Sequence, residues 1–432
     1  MILILGAGMA GLSAAYHLNA AGVRCRLYEK EPMVGGLCRS YRHGGFTFDH
    51  TGHLLHFRKH DIQELVERLL PGQLIRYTRR SAIYSHGVYT DYPFQVNTYG
   101  LPPEVIRDCL VGFVETLVAR SRKPPSPSFK QWILDNLGDG IARHFMLPFN
   151  EKLWRVPLEQ MTADWVSWLV PKPGLRDVVN GALGIKERAF GYNATFQYPI
   201  TGGIGVLAEG FLPHVKELEL GKEAVEIDTK QRKVRFRDGS EESYDRLIST
   251  LPVSELVARS TDLSKRMREA AGKLRVTPIY AINLAVEREG LSDKHWIYFP
   301  EPEFPFYRVG FQSNFAPHCA RPGTTTLYVE MSHDPKDRMD LDRIVAGVTV
   351  GLQRAGLLKG GEPLATADVR DVPHAYVVFD RNRARVLPWL LEELASRDIH
   401  SIGRYGRWEH SSIEDAIAQG KQIAALLAKR TS

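Results

Sequence analysis

Several features that would narrow the class of this 432-residue protein are missing from its sequence. The four cysteines (Cys25, Cys38, Cys109 and Cys319) form no C-x-x-C pair and show no zinc-ligand spacing with histidine, which argues against a metal centre or a disulfide scaffold. No apolar run approaches the ~18 residues that a membrane-spanning helix needs. Internal repeats and low-complexity segments are also absent. We therefore expect a cytoplasmic protein with reduced thiols, no metal and no membrane partner.

Neither sign of charge dominates the sequence, since 56 basic residues against 50 acidic ones leave a net charge of only +6. The basic excess is dispersed, with only short clusters at 76–80 and 429–430, so the sequence does not indicate a nucleic-acid partner. The small positive net charge is as compatible with an anionic small ligand, such as a nucleotide diphosphate, as with a nucleic acid. A chain of this length buries a large core and forms two or three domains. Because a buried strand begins at the first residues, we expect no signal peptide.

The most informative pattern is a strand, a glycine turn, a helix and a second strand that ends in an acid, all within residues 1–29. Gly6 permits the sharp turn, Gly8 lets the backbone approach a pyrophosphate, and Gly11 lets the helix pack closely on the sheet. Glu29, 18 residues after Gly11, is placed to accept a ribose hydroxyl. The unpaired amides at the start of the helix favour a phosphate. The pattern predicts a dinucleotide site; the alternative is a βαβ turn without a ligand.

A second glycine pair follows the acid and distinguishes between dinucleotides. Gly35 and Gly36, with Leu37 and Arg39 after them, resemble the second fingerprint of the FAD family that includes amine oxidases, protoporphyrinogen oxidase and sugar-nucleotide mutases. The glycines let a loop lie flat against the cofactor, and Arg39 can pair with its phosphates. This string favours FAD over NAD.

Two later stretches support FAD through the same resemblance. In that family, a segment such as 221–227 brings one residue, here Val225, to the adenine side. A strand such as 244–252 then returns to the cofactor domain. The alternative is an ordinary strand that ends in a proline turn.

The predicted fold class is α/β: a discontinuous Rossmann-like FAD-binding domain with a helical insert domain and an antiparallel β-sheet domain. The predicted segments are 1–80, 194–265 and 397–432 for the FAD-binding domain, 97–193 for the helical insert, and 81–96 and 266–396 for the sheet domain. The spacing of apolar residues predicts helices over 102–122, 129–137, 140–154, 161–184, 341–355 and 412–427. Alternation predicts strands over 279–286, 296–299, 306–312, 324–331 and 375–379.

Six short motifs combine aromatic side chains with amides, glycines or cations. They are Tyr92-Pro93-Phe94-Gln95, the stretch 145–154, Asn193-Ala194-Thr195-Phe196, and the stretches 296–300, 304–308 and 403–408. In the first, aromatic rings and an amide on a proline-stiffened segment are suited to stack on a base and read its edge. Each motif also has an ordinary explanation: the first as a hydrophobic strand end, and the second as a core helix broken by Pro148.

Taken together, and in order along nearly the whole chain, these motifs resemble the eukaryotic-type UDP-galactopyranose mutases. The resemblance implies a UDP-sugar substrate whose pyranose and furanose forms are interconverted through an adduct between N5 of reduced FAD and the anomeric carbon. It implies no net redox change, with a donor such as NAD(P)H keeping the FAD reduced. A homo-oligomer is compatible with it.

The resemblance also implies roles for individual residues. The implied substrate-binding residues are Tyr92, Gln95 and Phe145 at the uracil, Asn150 and Trp154 at the ribose and phosphate side, Tyr298, Arg308 and Tyr376 at the diphosphate, and Phe94, Asn193 and His410 elsewhere in the pocket. The residues implied to lie beside the flavin are His53, Gly403, Arg404 and Trp408, of which His53 and Arg404 join Arg308 as catalytic candidates. We expect the neighbouring His50 and His56 to be surface loop residues.

Three positions depart from the family pattern. Leu169 replaces a second diphosphate arginine, Ala189 replaces an asparagine, and His410 replaces a tyrosine. Arg176 or Arg188 is a candidate to replace the missing arginine. Since the base end is better kept than the sugar end, the sugar need not be galactose. Two alternatives stay open: an FAD-dependent oxidoreductase of the amine oxidase or desaturase type, and a catalytically silent nucleotide-binding protein.

Overall fold

The structure is a computed structural model that describes residues 1–119, 128–166, 170–185, 194–336 and 339–429. The strands, numbered in chain order, are β1 (Ile2–Leu5), β2 (Cys25–Tyr28), β3 (Ser40–His43), β4 (Phe46–Asp49), β5 (Leu74–Thr78), β6 (Ser81–Ser85), β7 (Val88–Asp91), β8 (Thr195–Pro199), β9 (Leu218–Glu219), β10 (Ala224–Asp228), β11 (Lys233–Phe236), β12 (Glu241–Ser243), β13 (Arg246–Ser249), β14 (Val276–Val286), β15 (Trp296–Tyr298), β16 (Arg308–Gly310), β17 (Thr325–Ser332), β18 (Leu364–Val377) and β19 (Ile399–Ser401).

The α-helices are α1 (Met9–Ala20), α2 (His60–Leu69), α3 (Pro103–Ala119), α4 (Phe129–Ile141), α5 (Leu147–Trp154), α6 (Leu175–Ala182), α7 (Val206–Phe211), α8 (Val253–Arg259), α9 (Lys265–Ala271), α10 (Leu341–Arg354), α11 (Arg381–Ala395), α12 (Gly403–Gly406) and α13 (Ile413–Ala428). A π-helical turn at Ala142–Met146 joins α4 to α5. No helix in the described part of the chain combines the length and hydropathy needed to cross a bilayer.

A five-stranded parallel sheet has the order β19-β13-β1-β2-β9. Strand β1 is apolar and buried at every residue, as expected for a central parallel strand. The chain leaves β1 through α1 to β2 on one side and later adds β13 on the other side. The strand order therefore reverses at β1, and ligands of open α/β sheets bind at the carboxyl ends of the strands at such a point. The predicted α/β class and Rossmann-like arrangement are confirmed.

The C-terminal helix α13 packs along α1. A Cβ at Gly420 would lie 2.5 Å from the carbonyl oxygen of Ala10, so only glycine allows this approach. The parallel sheet joins the same two ends of the chain, because β1 and β2 lie in one sheet with β19, which precedes α13.

A seven-stranded sheet has the order β18-β14-β17-β16-β15-β6-β7. It is antiparallel, as predicted, except that β6 and β15 run parallel. These two strands are distant in sequence, so no hairpin turn fixes their relative direction. Strands β15–β18 of this sheet and helix α5 contribute side chains to the region in which the motifs of aromatic and amide residues meet.

Some local predictions were wrong. The helix predicted over 161–184 is limited to Leu175–Ala182 in the described residues, because Pro171 and Pro173 cannot continue a helix that precedes them. Pro148 does not break its helix, since it lies in the first turn of α5, where a missing N–H costs little. Helix α11 was not predicted, although Val386, Leu390 and Leu394 have the spacing of one buried face.

Candidate active site

The first glycine turn borders a cavity of about 510 Å³ beside the parallel sheet. Gly6 (φ 95°) and Gly8 both line it. Gly11 does not, because it faces the turn: a Cβ there would lie 2.0 Å from the carbonyl oxygen of Gly6. At Gly8, a Cβ would meet only the Cα of Gly36, at 3.9 Å. Gly11 therefore serves packing, whereas Gly8 leaves space at the N-terminus of α1.

Glu29 lines the same cavity and is held by two backbone amides. The N–H of Ala7 donates to Oε2 of Glu29 at 2.6 Å, and the N–H of Glu31 donates to Oε1 at 3.0 Å. The carboxylate is 7% exposed and fixed at the end of β2. It is thereby oriented to accept a hydroxyl from a ligand in the cavity.

The second glycine pair packs against the first turn. The N–H of Gly35 (φ 111°) donates to the carbonyl of Ala7 at 2.8 Å, and Gly36 (φ 58°) follows in the same left-handed conformation. Arg39 donates through Nε to the carbonyl of Gly36 at 2.8 Å and lies 3.3 Å from Glu31 through Nη1. Gly35, Gly36, Leu37 and Arg39 all line the cavity. The backbone of this loop lies close to the first glycine turn, and a side chain at Gly36 would fill the space between the two segments.

Two later segments complete the cofactor cavity. Ala224 lines the cavity. Val225, which was expected at the adenine side, does not line it and lies at the register shift between Ala224 and Glu226 of β10. Gly403 (φ 80°) and Arg404 line it from the other end, and the N–H of Gly403 donates to Gln419 at 2.7 Å. Trp408, expected beside the flavin, is buried in the core and lines neither this cavity nor the one described next.

A second cavity, of about 360 Å³, contains most of the predicted substrate residues. The predicted residues that line it are Tyr92, Gln95, Phe145, Asn150, Trp154, Tyr298, Arg308, Tyr376 and His410. Phe94 is the exception, since it is fully buried and stacks behind Phe145 with ring centroids 4.9 Å apart. Asn193, Leu169, Ala189 and Arg188 lie outside the described residues. Arg176 is exposed and does not line the cavity.

One end of this cavity combines aromatic rings with an amide. The rings of Tyr92 and Tyr298 lie 5.2 Å apart, and Phe145 stacks on Phe149 at 5.3 Å. Gln95 donates through Nε2 to the carbonyl of Pro171 at 3.0 Å, which fixes the amide and leaves its oxygen to face other groups. Such a wall suits a planar polar ring.

Helix α5 contributes Asn150 and Trp154, one helical turn apart. Asn150 donates through Nδ2 to the carbonyl of Met146 at 2.7 Å and accepts from Nε1 of Trp154 at 3.2 Å. Both polar groups are therefore held by the helix itself. This fixes the orientation of the two side chains in the cavity wall.

The opposite part of the cavity is charged. Arg308 donates through Nη2 to Glu330 at 2.5 Å, and Tyr307 donates to the same carboxylate at 2.7 Å. The hydroxyls of Tyr307 and Tyr376 lie 3.2 Å apart. Burial lowers the pKa of Arg308, but Glu330 and the nearby tyrosines outweigh it and hold the pKa well above its ordinary value. Arg308 is a fixed cation, and its Nε has no hydrogen-bond partner within the described residues.

His53 and Arg404 line both cavities, together with residues 411–413. Nδ1 of His53 lies 2.6 Å from Oγ1 of Thr51. Burial lowers the pKa of His53 to about 4, and the positive charges of Arg404 and Arg308 act in the same direction. His53 is therefore neutral at neutral pH. The cofactor cavity and the substrate cavity meet at this point.

His410 lines the substrate cavity with a neutral ring. Its ring stacks on Phe379 at 4.9 Å, and Nη2 of Arg404 lies 3.5 Å from Nδ1. Because Arg404 can only donate, Nδ1 is the acceptor and Nε2 carries the proton. Nε2 is buried without a partner in the part of the chain that the structure describes. Burial and the charge of Arg404 hold the pKa of His410 well below its ordinary value.

The prediction that His50 and His56 are surface residues was wrong. His50 lines the cofactor cavity, and burial lowers its pKa to about 4; His56 lines the substrate cavity. Both residues follow β4 and are three residues from His53 in the sequence, so this spacing could have indicated that they lie near the site. Phe149 and Tyr328 also line the substrate cavity and were not singled out.

The fold and site together define a dinucleotide-binding α/β protein with a second cavity beside the cofactor site. The glycine cradle, the carboxylate held by two amides and the arginine at the second glycine pair fit FAD. The model of the flavin containing amine oxidoreductase family matches residues 9–428, and the chain belongs to that family.

Solved structures cover nearly the whole chain. A reduced UDP-galactopyranose mutase has a TM-score of 0.94 and 28% sequence identity, over 100% of this chain and 94% of that one. A putative protoporphyrinogen oxidase from Exiguobacterium sp. 255-15 has a TM-score of 0.77 over 99% of this chain and 98% of that one, with 17% identity, and shows the shared fold.

Curated relatives match over short stretches. Hydroxysqualene dehydroxylase of Zymomonas mobilis is 40% identical over 68 residues, and a 4,4'-diapophytoene desaturase of Staphylococcus haemolyticus is 44% identical over 48 residues. These stretches are 15% and 11% of this chain, and the chain spans only 16% and 10% of the length of the two relatives.

Proposed function

We propose that this protein is a flavin-dependent mutase that interconverts the pyranose and furanose forms of a UDP-sugar. The observation that carries the proposal is the meeting of two cavities at His53 and Arg404, one with a dinucleotide cradle and one with aromatic, amide and cationic walls. The likeness to a reduced UDP-galactopyranose mutase over the full chain supports it.

In this proposal the aromatic end of the substrate cavity binds the uracil. Tyr92 and Phe145 contact its faces, and Gln95 reads its edge. Nε2 of Gln95 donates one N–H to Pro171, so the amide oxygen and the second N–H remain for the base. An acceptor beside a donor matches the edge of uracil, which carries an N–H beside a carbonyl.

The diphosphate then lies toward Arg308, Tyr298 and Tyr376. Arg308 is held by Glu330, so the cation is oriented before substrate binds, and its unpartnered Nε is a free donor. His410 adds an uncharged N–H donor from the other side. Donors fixed in advance stabilise a departing phosphate group without a reorganisation cost.

FAD is the proposed cofactor, held by Gly8, Glu29, Gly36 and Arg39. When bound and reduced, it supplies a nucleophilic nitrogen for the anomeric carbon of the sugar. The residues of the chain position the sugar at the junction of the two cavities and exclude water from it. His53 stays neutral at this junction and therefore adds no positive charge to it.

The alternative function is an FAD-dependent oxidoreductase of the amine oxidase or desaturase type, which the family description and the short stretches of identity favour. A hydrocarbon substrate requires an apolar cavity, because buried unpaired polar groups are costly. The second cavity instead carries Arg308, Gln95 and Asn150 in its walls. Its chemistry favours the mutase.

The experiment is an anaerobic assay of the dithionite-reduced holoenzyme with UDP-galactofuranose. Formation of the pyranose only by the reduced enzyme is expected for a mutase. In a parallel assay of the oxidised enzyme in air, a product that requires oxygen, with no isomer formed, would favour the oxidoreductase. NAD(P)H is the reductant we propose, and it is tested by replacing dithionite in the same assay.

A further inference from the structure

Lys152 connects the helix of the substrate cavity to a neighbouring loop. It lies on α5 between Asn150 and Trp154, which both line the cavity. Its Nζ donates to the carbonyls of Phe299 at 2.8 Å and Phe306 at 3.3 Å, and also to the carbonyl of Glu301. An ammonium group has three N–H donors and no acceptor, so all three are used.

The three carbonyls lie on the connection between β15 and β16. This connection begins directly after Tyr298 and ends directly before Arg308, and both of these residues line the cavity. The N–H of Phe299 donates to the carbonyl of Tyr307 at 3.0 Å, which closes the connection into a compact loop. Tyr298 and Arg308 pair with each other at the two ends of this loop, and the neighbouring strands β6 and β17 also pair with them.

Helix α5 has separate attachments to the other strands of the sheet. Ser332 on β17 donates to the carbonyl of Leu153 at 2.7 Å, and Thr277 on β14 donates to the carbonyl of Trp154 at 2.5 Å. Lys152 provides a side-chain attachment toward the β15–β16 loop.

We propose that Lys152 is a positioning residue that sets the distance between the two walls of the substrate cavity. One wall is the α5 face with Asn150 and Trp154, and the other is the end of the β15–β16 pair, where Tyr298 and Arg308 flank the loop that Lys152 contacts. The inference rests on the proposed function insofar as it names UDP as the ligand whose binding reports that distance.

The protonation state of Lys152 gives the proposal a measurable signature. Burial lowers the pKa of Lys152 to about 8, although Glu301 and Glu303 act to raise it. Other charged or titratable groups on the surrounding elements are Tyr307, Arg308 and Glu330 on the sheet side and His86, whose backbone N–H donates to Glu301. A neutral amine has one N–H fewer, so one carbonyl loses its donor as the pH rises through about 8.

The test is calorimetric titration of the oxidised holoenzyme with UDP at pH 7 and at pH 9. Wild type is expected to bind UDP more weakly at pH 9. Lys152→Met, which leaves three carbonyls without their donor, is expected to bind about 10-fold more weakly at pH 7 and to lose the difference between the two pH values. Lys130→Met, which removes an exposed lysine paired with Glu159 on α4, is the control and is expected to match wild type.

Wild-type affinity in Lys152→Met, or equal UDP affinity of wild type at both pH values, would overturn the proposal. Hydrogen exchange on the same proteins tests it without UDP. Lys152→Met is expected to exchange faster at both 147–154 and 299–307, with the β14 strand unchanged. Unchanged exchange in both segments would also refute the role. Absence of UDP binding in wild type would instead contradict the proposed function, and the exchange result would still decide the role of Lys152.

Discussion

Replacing Gly8 with valine should separate cofactor binding from folding. The backbone at Gly8 (φ −74°, ψ 179°) is extended and suits any residue. An added Cβ would lie 3.9 Å from the Cα of Gly36, which is ordinary contact. The larger side chain therefore has room in the protein alone. It occupies, however, the space at the N-terminus of α1 where the pyrophosphate is proposed to bind.

The expected magnitude follows from this geometry. Forcing methyl groups into space that another group fills costs about 1–3 kcal/mol, and each 1.4 kcal/mol is tenfold in a dissociation constant. FAD should thus bind about 5- to 150-fold more weakly to Gly8→Val. Gly8 is the N-cap of α1. Valine is a poorer N-cap residue than glycine, and this difference should cost the fold about 1 kcal/mol or less.

Gly11→Ala is the matched control. Its Cβ would lie 2.0 Å from the carbonyl oxygen of Gly6, so the same kind of cost falls on the packing of α1 against the turn. This variant should lose thermal stability both with and without FAD. Gly8→Val should lose at most about 1 kcal/mol of stability relative to the wild-type protein stripped of flavin.

The assay is titration of the stripped proteins with FAD, followed by visible absorbance, with circular dichroism melts in parallel. Wild-type FAD affinity in Gly8→Val would show that the pyrophosphate does not approach this residue. A loss of FAD accompanied by the same destabilisation as in Gly11→Ala would contradict the separation of the two roles.

Three further predictions concern charged and titratable groups. Arg308→Ala should lower turnover about 100- to 1000-fold with flavin content unchanged; since it also leaves Glu330 buried without its cation, the double variant with Glu330→Gln should recover stability but not activity, and wild-type turnover in either would remove Arg308 from the mechanism. His410→Phe keeps an aromatic ring against Phe379 but loses the Nε2 donor, so UDP should bind about 10-fold more weakly by calorimetry; an unchanged affinity would exclude the donor role. Burial raises the pKa of Asp49 to about 6 from 3.8, so the folded protein holds this proton more tightly than the unfolded chain does. Stability should therefore fall as the pH rises from about 4 to about 6, by about 3 kcal/mol at most, and Asp49→Asn should lack this part of the pH dependence in denaturant titrations.

The cofactor turn could be predicted from the sequence because its requirements are local. Gly6, Gly8, Gly11 and Glu29 lie within one strand–helix–strand unit, and their functions follow from backbone conformation and spacing. The order of the aromatic motifs supported the resemblance to the mutases, and that resemblance implied which residues share a substrate pocket. The limits of the helices near Pro148 and Pro171 could not be settled locally, since a proline can end a helix, begin one or, as Pro388 does in α11, lie inside one, depending on what packs around it.

The sequence by itself determined the nucleotide-binding unit, the α/β class and part of the lining of the substrate cavity, because these depend on local conformation and on motifs that keep their order. Tertiary structure decided which side chains share a wall. His53 lies 255 residues before Arg308 and 351 before Arg404 in the chain, yet burial and the charges of these two arginines hold the pKa of His53 at about 4. Lys152 is a similar case: its three acceptors are main-chain carbonyls that every sequence contains, so only the packing of α5 against the β15–β16 loop brings them to this lysine.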